Sequence, residues 1–102
     1  MSSFAKKLEH DGAIGRLRLN VSGANIRRTD LSHANLTGAD LSGANCSYVN
    51  FRGANFKNAR LKGAKLFGAD LTDAVNLTKK QIEEALIDKT TILPSYLAKE
   101  FA

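Results

Sequence analysis

A five-residue repeat runs without a gap from Leu19 to Asp73, and it limits what this chain can fold into more than any other feature. In register the eleven units read LNVSG, ANIRR, TDLSH, ANLTG, ADLSG, ANCSY, VNFRG, ANFKN, ARLKG, AKLFG and ADLTD. The centre of every unit is apolar, and the residue two before it is Ala in eight of the eleven. Helices repeat about every 3.6 residues and strands about every 2, so neither explains this spacing. We expect a coil that turns a corner every five residues, with Gly or Asn where the corner needs unusual backbone angles.

These units resemble the pentapeptide-repeat family, whose motif is A-(D/N)-L-x-x, and the resemblance covers about half of the 102 residues. The resemblance implies an all-β solenoid, a right-handed quadrilateral parallel β-helix in which four units form one square coil and the Ala and Leu positions point inward. Eleven units then make about 2.75 coils. Because one coil takes four units, unit centres four units apart should stack in columns. The expected columns are Val21, Leu41, Leu61; Ile26, Cys46, Leu66; Leu31, Phe51, Leu71; and Leu36, Phe56.

The length favours one structural domain, and its two ends need covers because terminal coils expose core and unpaired backbone. We predict an N-terminal cap segment over 1–18, the β-helix over 19–73 and a C-terminal helical cap over 74–102. Beyond this cap, the sequence indicates no role for residues 1–18.

The C-terminal cap is predicted to begin with a capping box formed by Thr78 and Gln81. A helix over about 79–87 should follow, with Ile82, Ala85 and Leu86 on the face that covers the last coil. Ser95 is then predicted to cap a second short helix that runs through 101.

Family members use their C-terminal ends to dimerise, so the resemblance implies a homodimer contact at the corresponding end of this chain. The residues placed there are Tyr96, Leu97 and Phe101. The sequence leaves open whether they contact a second copy or only cover their own chain.

The chemical inventory argues against an enzyme. His10 and His33 are the only histidines, and neither has a paired nucleophile. The lone Cys46 stands at a unit centre and is interpreted as a small core residue. No cofactor or metal is expected, because three of the acidic residues within the repeat occupy the same slot as Asn and are interpreted as turn formers. These residues are Asp30, Asp40 and Asp70.

No apolar segment approaches the roughly 20 residues that cross a bilayer, and the first residues lack a signal-peptide core. We therefore expect no membrane span and a cytoplasmic location, in a bacterium according to the resemblance.

The net charge of +5, from 15 Lys and Arg against 10 Asp and Glu, weakly favours acidic partners. The units centred on Ile26, Cys46 and Leu66 should share one side, and their outward positions contain no acid. The candidate interaction face on this side comprises Arg27, Arg28, Tyr48, Lys65 and Phe67. A second basic region lies between Asp40 and Asp70, where the sequence contains no acidic residue. This candidate polyanion band comprises Arg52, Lys57, Arg60 and Lys62.

Two functions remain open at this point. The first is a non-enzymatic scaffold that presents a flat β-helix face to a protein partner, whose identity the sequence does not give. The second is weak nucleic-acid or other polyanion binding through the basic band. Some longer family members resemble duplex DNA and bind type II topoisomerases through acidic surfaces on long dimeric rods, but this chain is basic and short, and departs from them on both counts.

Overall fold

A computed structural model describes residues 18–101, and its backbone pairs with itself at intervals of one coil. Each pairing is an isolated parallel bridge at the residue that precedes a unit centre. Bridges with the repeat spacing join Asn20 with Asp40, Asn25 with Asn45, Asp30 with Asn50, Asn35 with Asn55, Asp40 with Arg60, Asn45 with Lys65, Asn50 with Asp70 and Asn55 with Val75. The units therefore stack four apart, as the family resemblance implies.

Each unit ends in a tight turn. The N–H of Ala24 donates to the carbonyl of Val21 at 2.9 Å, and the same bond recurs along the repeat. The last residue of all eleven units has a φ between 60° and 73°, the sign that a type II turn requires at its third position. The Asn or Asp before the centre supports the turn, since the Asn20 Oδ1 accepts the N–H of Ser22 at 3.0 Å. The geometry of the turn thus explains why Gly is frequent at the last position of a unit and why Asn or Asp is frequent before the centre.

The core is built from the unit centres and the Ala positions. From Leu31 to Ala74 these residues are buried, and Leu19, Val21 and Ile26 pack against them while partly buried. Phe51 and Phe56 lie side by side within one coil, their ring centroids 5.2 Å apart in an edge-to-face arrangement. Aromatic pairs favour this geometry because the positive edge of one ring faces the negative face of the other.

The backbone ladder continues beyond the sequence repeat. Asn76, with a φ of 59°, moves the chain out of register, and Leu77 takes the buried position at 3% exposure. Further bridges then join Lys65 with Leu86 and Asp70 with Ile92. The segment after the repeat therefore stacks on the last repeat coil on two of its sides.

Helix α1, Lys79–Glu84, begins with the predicted capping box. The N–H of Gln81 donates to the Thr78 Oγ1 at 3.1 Å, and the N–H of Thr78 donates to the Gln81 Oε1 at 2.8 Å. The Gln81 Nε2 also donates to the carbonyls of Phe56 and Ala59, at 2.9 Å each. One side chain thus starts the helix and ties it to the coil beneath.

The predicted end of this helix was wrong. The helix ends at Glu84, because the next residue, Ala85, is extended with a ψ of 172°. Leu86 joins the ladder instead: its N–H donates to the Ala64 carbonyl and its carbonyl accepts from the Leu66 N–H, both at 2.8 Å. Leu86 is 46% exposed and does not share the buried face of Ile82.

Helix α2, Ser95–Ala98, is followed by a 3-10 turn over Lys99–Phe101. Ser95 was predicted to cap this helix, but it is the first residue of the helix. Pro94 occupies the cap position, and its carbonyl accepts the N–H groups of Leu97 and Ala98 at 2.9 Å. Neither of the helices within residues 18–101 is long and apolar enough to cross a membrane. The predicted N-terminal cap lies outside the described residues except for Arg18.

Candidate docking face

We call the surface formed by Arg27, Arg28, Tyr48, Lys65 and Phe67 the docking face. Its residues belong to three units that lie above one another, as the bridges of Asn45 with Asn25 and with Lys65 show. The N–H of Arg28 donates to the carbonyl of the residue before Tyr48 at 3.0 Å, and the N–H of Tyr48 donates to the Phe67 carbonyl at 2.9 Å. Backbone pairing therefore brings these residues to one side of the solenoid.

Arg28 and Tyr48 form the most specific contact of the docking face. The guanidinium carbon of Arg28 lies 4.8 Å from the centre of the Tyr48 ring, which is a cation–π arrangement. The ring also lies against Gly68 of the next coil, where a Cβ atom would lie 2.5 Å from two ring carbons. Tyr48 is 52% exposed, but the coils on either side of it contact its ring.

Both residues adopt backbone angles that normally favour glycine. Arg28 and Tyr48 each have a φ of 61°, and six of the eleven equivalent corners carry Gly. A residue with a Cβ loses about 1–2 kcal/mol in this conformation. Two long side chains thus occupy one corner column despite a cost in backbone energy.

The cations of the docking face form no ion pair in the described part of the chain. Ion pairs within residues 18–101 involve Arg52 and Lys79, and none involves Arg27, Arg28 or Lys65. All three of these residues are exposed. The docking face therefore presents positive charge that residues 18–101 do not neutralise by ion pairing.

Two features of this side differ from the sequence prediction. Phe67 is only partly exposed, although the sequence places it at an outward position. Leu86, predicted to be a core residue of the cap, is exposed beside Lys65 and adds an apolar side chain to the same side. Leu86 follows Lys65 by one residue more than a full coil, so the register of the repeat does not predict that these two residues pair.

The basic band does not form one surface. Arg52, Lys57 and the pair Arg60 and Lys62 belong to three successive units, so they lie on three different sides. The Arg52 guanidinium is paired with Asp70 at 3.2 Å. A rigid ligand on one side of the solenoid cannot reach all four cations.

The remaining cations of the band also have polar or acidic surroundings. Arg60 and Lys62 border a depression of about 350 Å³ that also contains Glu84. Lys57 borders a second one, of about 470 Å³, beside Asn76 and Gln81.

The titratable groups of the repeat have structural explanations. Hydrogen bonds from the side chain and then the backbone of Ser32 lower the pKa of Asp30, and Ser42 lowers the pKa of Asp40 in the same way. Burial raises the pKa of the Cys46 thiol to about 12, so it stays protonated near neutral pH. Within residues 18–101 no three His, Cys, Asp or Glu side chains group together as metal ligands would.

The residues predicted to contact a second copy mostly cover their own chain. Leu97 is 6% exposed and belongs to the core cluster, and Phe101 packs against that cluster while partly buried. The Tyr96 hydroxyl donates to the Ala74 carbonyl and accepts the Leu77 N–H, although the residue is 48% exposed. Leu97 is therefore not an outward contact residue, and the homodimer stays a prediction.

Stacked square coils, positive-φ corners and inward Ala and apolar centres define a quadrilateral β-solenoid built from five-residue units. The family model of pentapeptide repeats matches residues 20–58 and 34–73, which together make up more than half of the sequence. The chain therefore belongs to the pentapeptide repeat family. Its solved members are right-handed quadrilateral β-helices, and proteins of this family are generally non-enzymatic scaffolds.

Solved structures agree with this assignment. The pentapeptide repeat protein Rfr23 from the cyanobacterium Cyanothece 51142 is 33% identical with a TM-score of 0.61, over 72% of this chain and 50% of that one. The pentapeptide repeat protein alr5209 from Nostoc PCC 7120 is 25% identical with a TM-score of 0.57, over 90% and 84% of the two chains. QnrB1, a plasmid-mediated fluoroquinolone resistance protein, shares the fold at 22% identity with a TM-score of 0.55, over 69% and 35%.

This chain thus spans half of Rfr23 and about a third of QnrB1. No curated protein matches its sequence.

Proposed function

We propose that this protein is a non-enzymatic scaffold that binds a protein partner through the docking face. The observation that carries the proposal is the stack of Arg28 on Tyr48, surrounded by cations that no carboxylate of residues 18–101 neutralises. Arg and Tyr are enriched among the residues that dominate binding energy at protein interfaces. The partner would therefore make its main contacts at this corner of the solenoid.

The platform in this proposal is a β-helix of about 2.75 repeat coils, closed at its C-terminal end by helices α1 and α2. A solenoid suits docking because each coil is held by the next and the side chains on one side keep a fixed spacing. We place this scaffold in the bacterial cytoplasm, and we assign it no cofactor and no catalytic residue.

Polyanion binding through the basic band is the weaker alternative. The cations of the band lie on three sides, and Arg52 is already paired with Asp70. A nucleic acid binds tightly when several of its phosphates are neutralised at once and release their counterions. Cations on three different sides of the solenoid do not favour such binding.

A photo-crosslinking amino acid at the position of Phe67 tests the proposal, with the position of Lys57 as a matched control. Both residues follow a unit centre, but they lie on different sides of the solenoid. We expect a discrete protein adduct in cells from position 67 and not from position 57. Equal adducts at both positions, or none at position 67, would contradict docking on this face.

A further inference from the structure

The docking face suggests the chemistry of its partner. We infer that the partner presents an acidic protein segment and that Arg28 binds a carboxylate of that segment. The inference rests on the proposed docking function and adds to it the identity of the recognised group.

The geometry of Arg28 leaves its donors accessible. The guanidinium is held 4.8 Å from the Tyr48 ring centre, while no hydrogen bond or ion pair within residues 18–101 uses its N–H groups. A guanidinium that stacks on a ring still presents N–H groups along its edge, and this planar fork matches a carboxylate in two parallel hydrogen bonds. Within residues 18–101, Arg28 thus keeps N–H donors that suit a bidentate contact with a carboxylate.

The backbone fixes where both side chains leave the solenoid. Arg28 and Tyr48 both have a φ of 61°, within the narrow range that all eleven unit corners share. The Tyr48 ring then gives the Arg28 guanidinium a second point of contact. Fixing Arg28 in advance reduces the entropy that a flexible side chain would lose on binding.

Charge complementarity selects an acidic segment, and the packing of Tyr48 argues against a nucleic acid. Arg27 and Lys65 add two exposed positive charges to the same side, with no ion-pair partner in residues 18–101. Single-stranded nucleic acids gain much of their affinity by stacking bases on open aromatic rings. Arg28 and Gly68 already contact the Tyr48 ring, so a stacking base would have to compete with them.

Selection from a displayed library of random peptides on the full chain tests the inference. We expect the selected peptides to be rich in Asp and Glu and to bind more weakly as the salt rises from roughly 50 to 200 mM. Arg28→Gln should weaken the selected peptides about tenfold or more, because a charged hydrogen-bond donor is lost. Arg60→Gln is the matched control, since it removes an exposed Arg from another side, and it should leave binding unchanged.

A second pair of variants distinguishes a loss of the contact between Arg28 and Tyr48 from a loss of the folded structure. Tyr48→Phe keeps the ring and should bind the selected peptide as the wild type does, whereas Tyr48→Leu removes the ring and should weaken it. A thermal melt checks that both variants fold.

Three outcomes would overturn the inference. These are selected peptides without an acidic bias, equal losses in Arg28→Gln and Arg60→Gln, and a labelled single-stranded DNA that binds more tightly than the peptides and depends on Arg28. None of them alters the cross-linking result at position 67, so a failure of the inference and a failure of the docking proposal remain distinguishable.

Discussion

Arg28 and Tyr48 stand at equivalent corners of adjacent coils, and the guanidinium of the first lies 4.8 Å from the ring centre of the second. A double-mutant cycle with Arg28→Ala and Tyr48→Ala measures what this contact contributes to stability. We expect a coupling free energy of about 0.5–1 kcal/mol, as for other exposed cation–π pairs. Urea unfolding of the four proteins gives the value, and a coupling near zero would show that the stack does not form in solution.

A second prediction concerns the glycine beneath Tyr48. Gly68 and Gly43 have similar φ values, 69° and 67°, so Ala at either corner has the same backbone strain. A Cβ at Gly68 would meet the Tyr48 ring at 2.5 Å, whereas a Cβ at Gly43 has its nearest neighbour at 3.9 Å. Gly68→Ala should therefore cost about 0.5–1.5 kcal/mol more than Gly43→Ala, because the half-exposed ring must leave its rotamer.

Chemical denaturation of both variants checks this difference. Equal losses of stability would mean that the ring of Tyr48 does not rest on Gly68. Adding Tyr48→Ala should remove most of the extra cost of Gly68→Ala, because the colliding ring is gone.

The third prediction concerns acid. The pKa values of Asp30 and Asp40 are lowered from their usual range in the folded chain, chiefly because Ser32 and Ser42 donate hydrogen bonds to them. A lowered folded pKa contributes stability that is present above the unfolded pKa and is lost as the pH falls through the folded value. In Asp30→Asn plus Asp40→Asn the amide oxygen can accept the same bonds, as in the other units. This variant should lose less stability than the wild type between about pH 5 and pH 2.

Thermal melts across this range make the comparison. Parallel losses in the two proteins would show that the two carboxylates do not contribute to the acid sensitivity.

The fourth prediction concerns Cys46, which is fully buried and whose pKa burial raises to about 12. Only the thiolate attacks an electrophilic thiol reagent, so the folded protein should remain unmodified near neutral pH. The reaction should appear only as urea unfolds the chain, with the same midpoint as the loss of structure. Rapid modification of the folded protein would contradict the core role of Cys46.

The sequence predicted the repeat architecture well because each unit carries its own turn and core signals. The stacking of residues such as Asn25 and Asn45 follows directly from four units per coil. The end of helix α1 could not be predicted, since Leu86 also suits the apolar face of a helix. Its place is set by backbone bonds to Ala64 and Leu66, which lie one coil away and leave no local pattern.

The candidate site was predicted only in part, because side-chain contacts between coils also leave no local pattern in the sequence. The repeat placed Arg28 and Tyr48 on one side, but it did not show that their side chains touch. It also did not show that Arg52 is paired with Asp70, because this ion pair joins two units through side-chain rotamers rather than through the register. The pairing with Asp70 neutralises one cation of the basic band. In contrast, no ion pair within residues 18–101 involves a cation of the docking face.

The dissociation constant of the partner captured at position 67 shows whether the docking face binds it. It should be measured for the wild type, for Arg27→Glu plus Arg28→Glu, and for the control Lys57→Glu plus Lys62→Glu. The two variants change the net charge equally but on different sides of the solenoid. We predict that the first weakens binding about tenfold or more while the control stays close to the wild type. Equal weakening in both variants would show that only the total charge matters, and would contradict a docking face on this side.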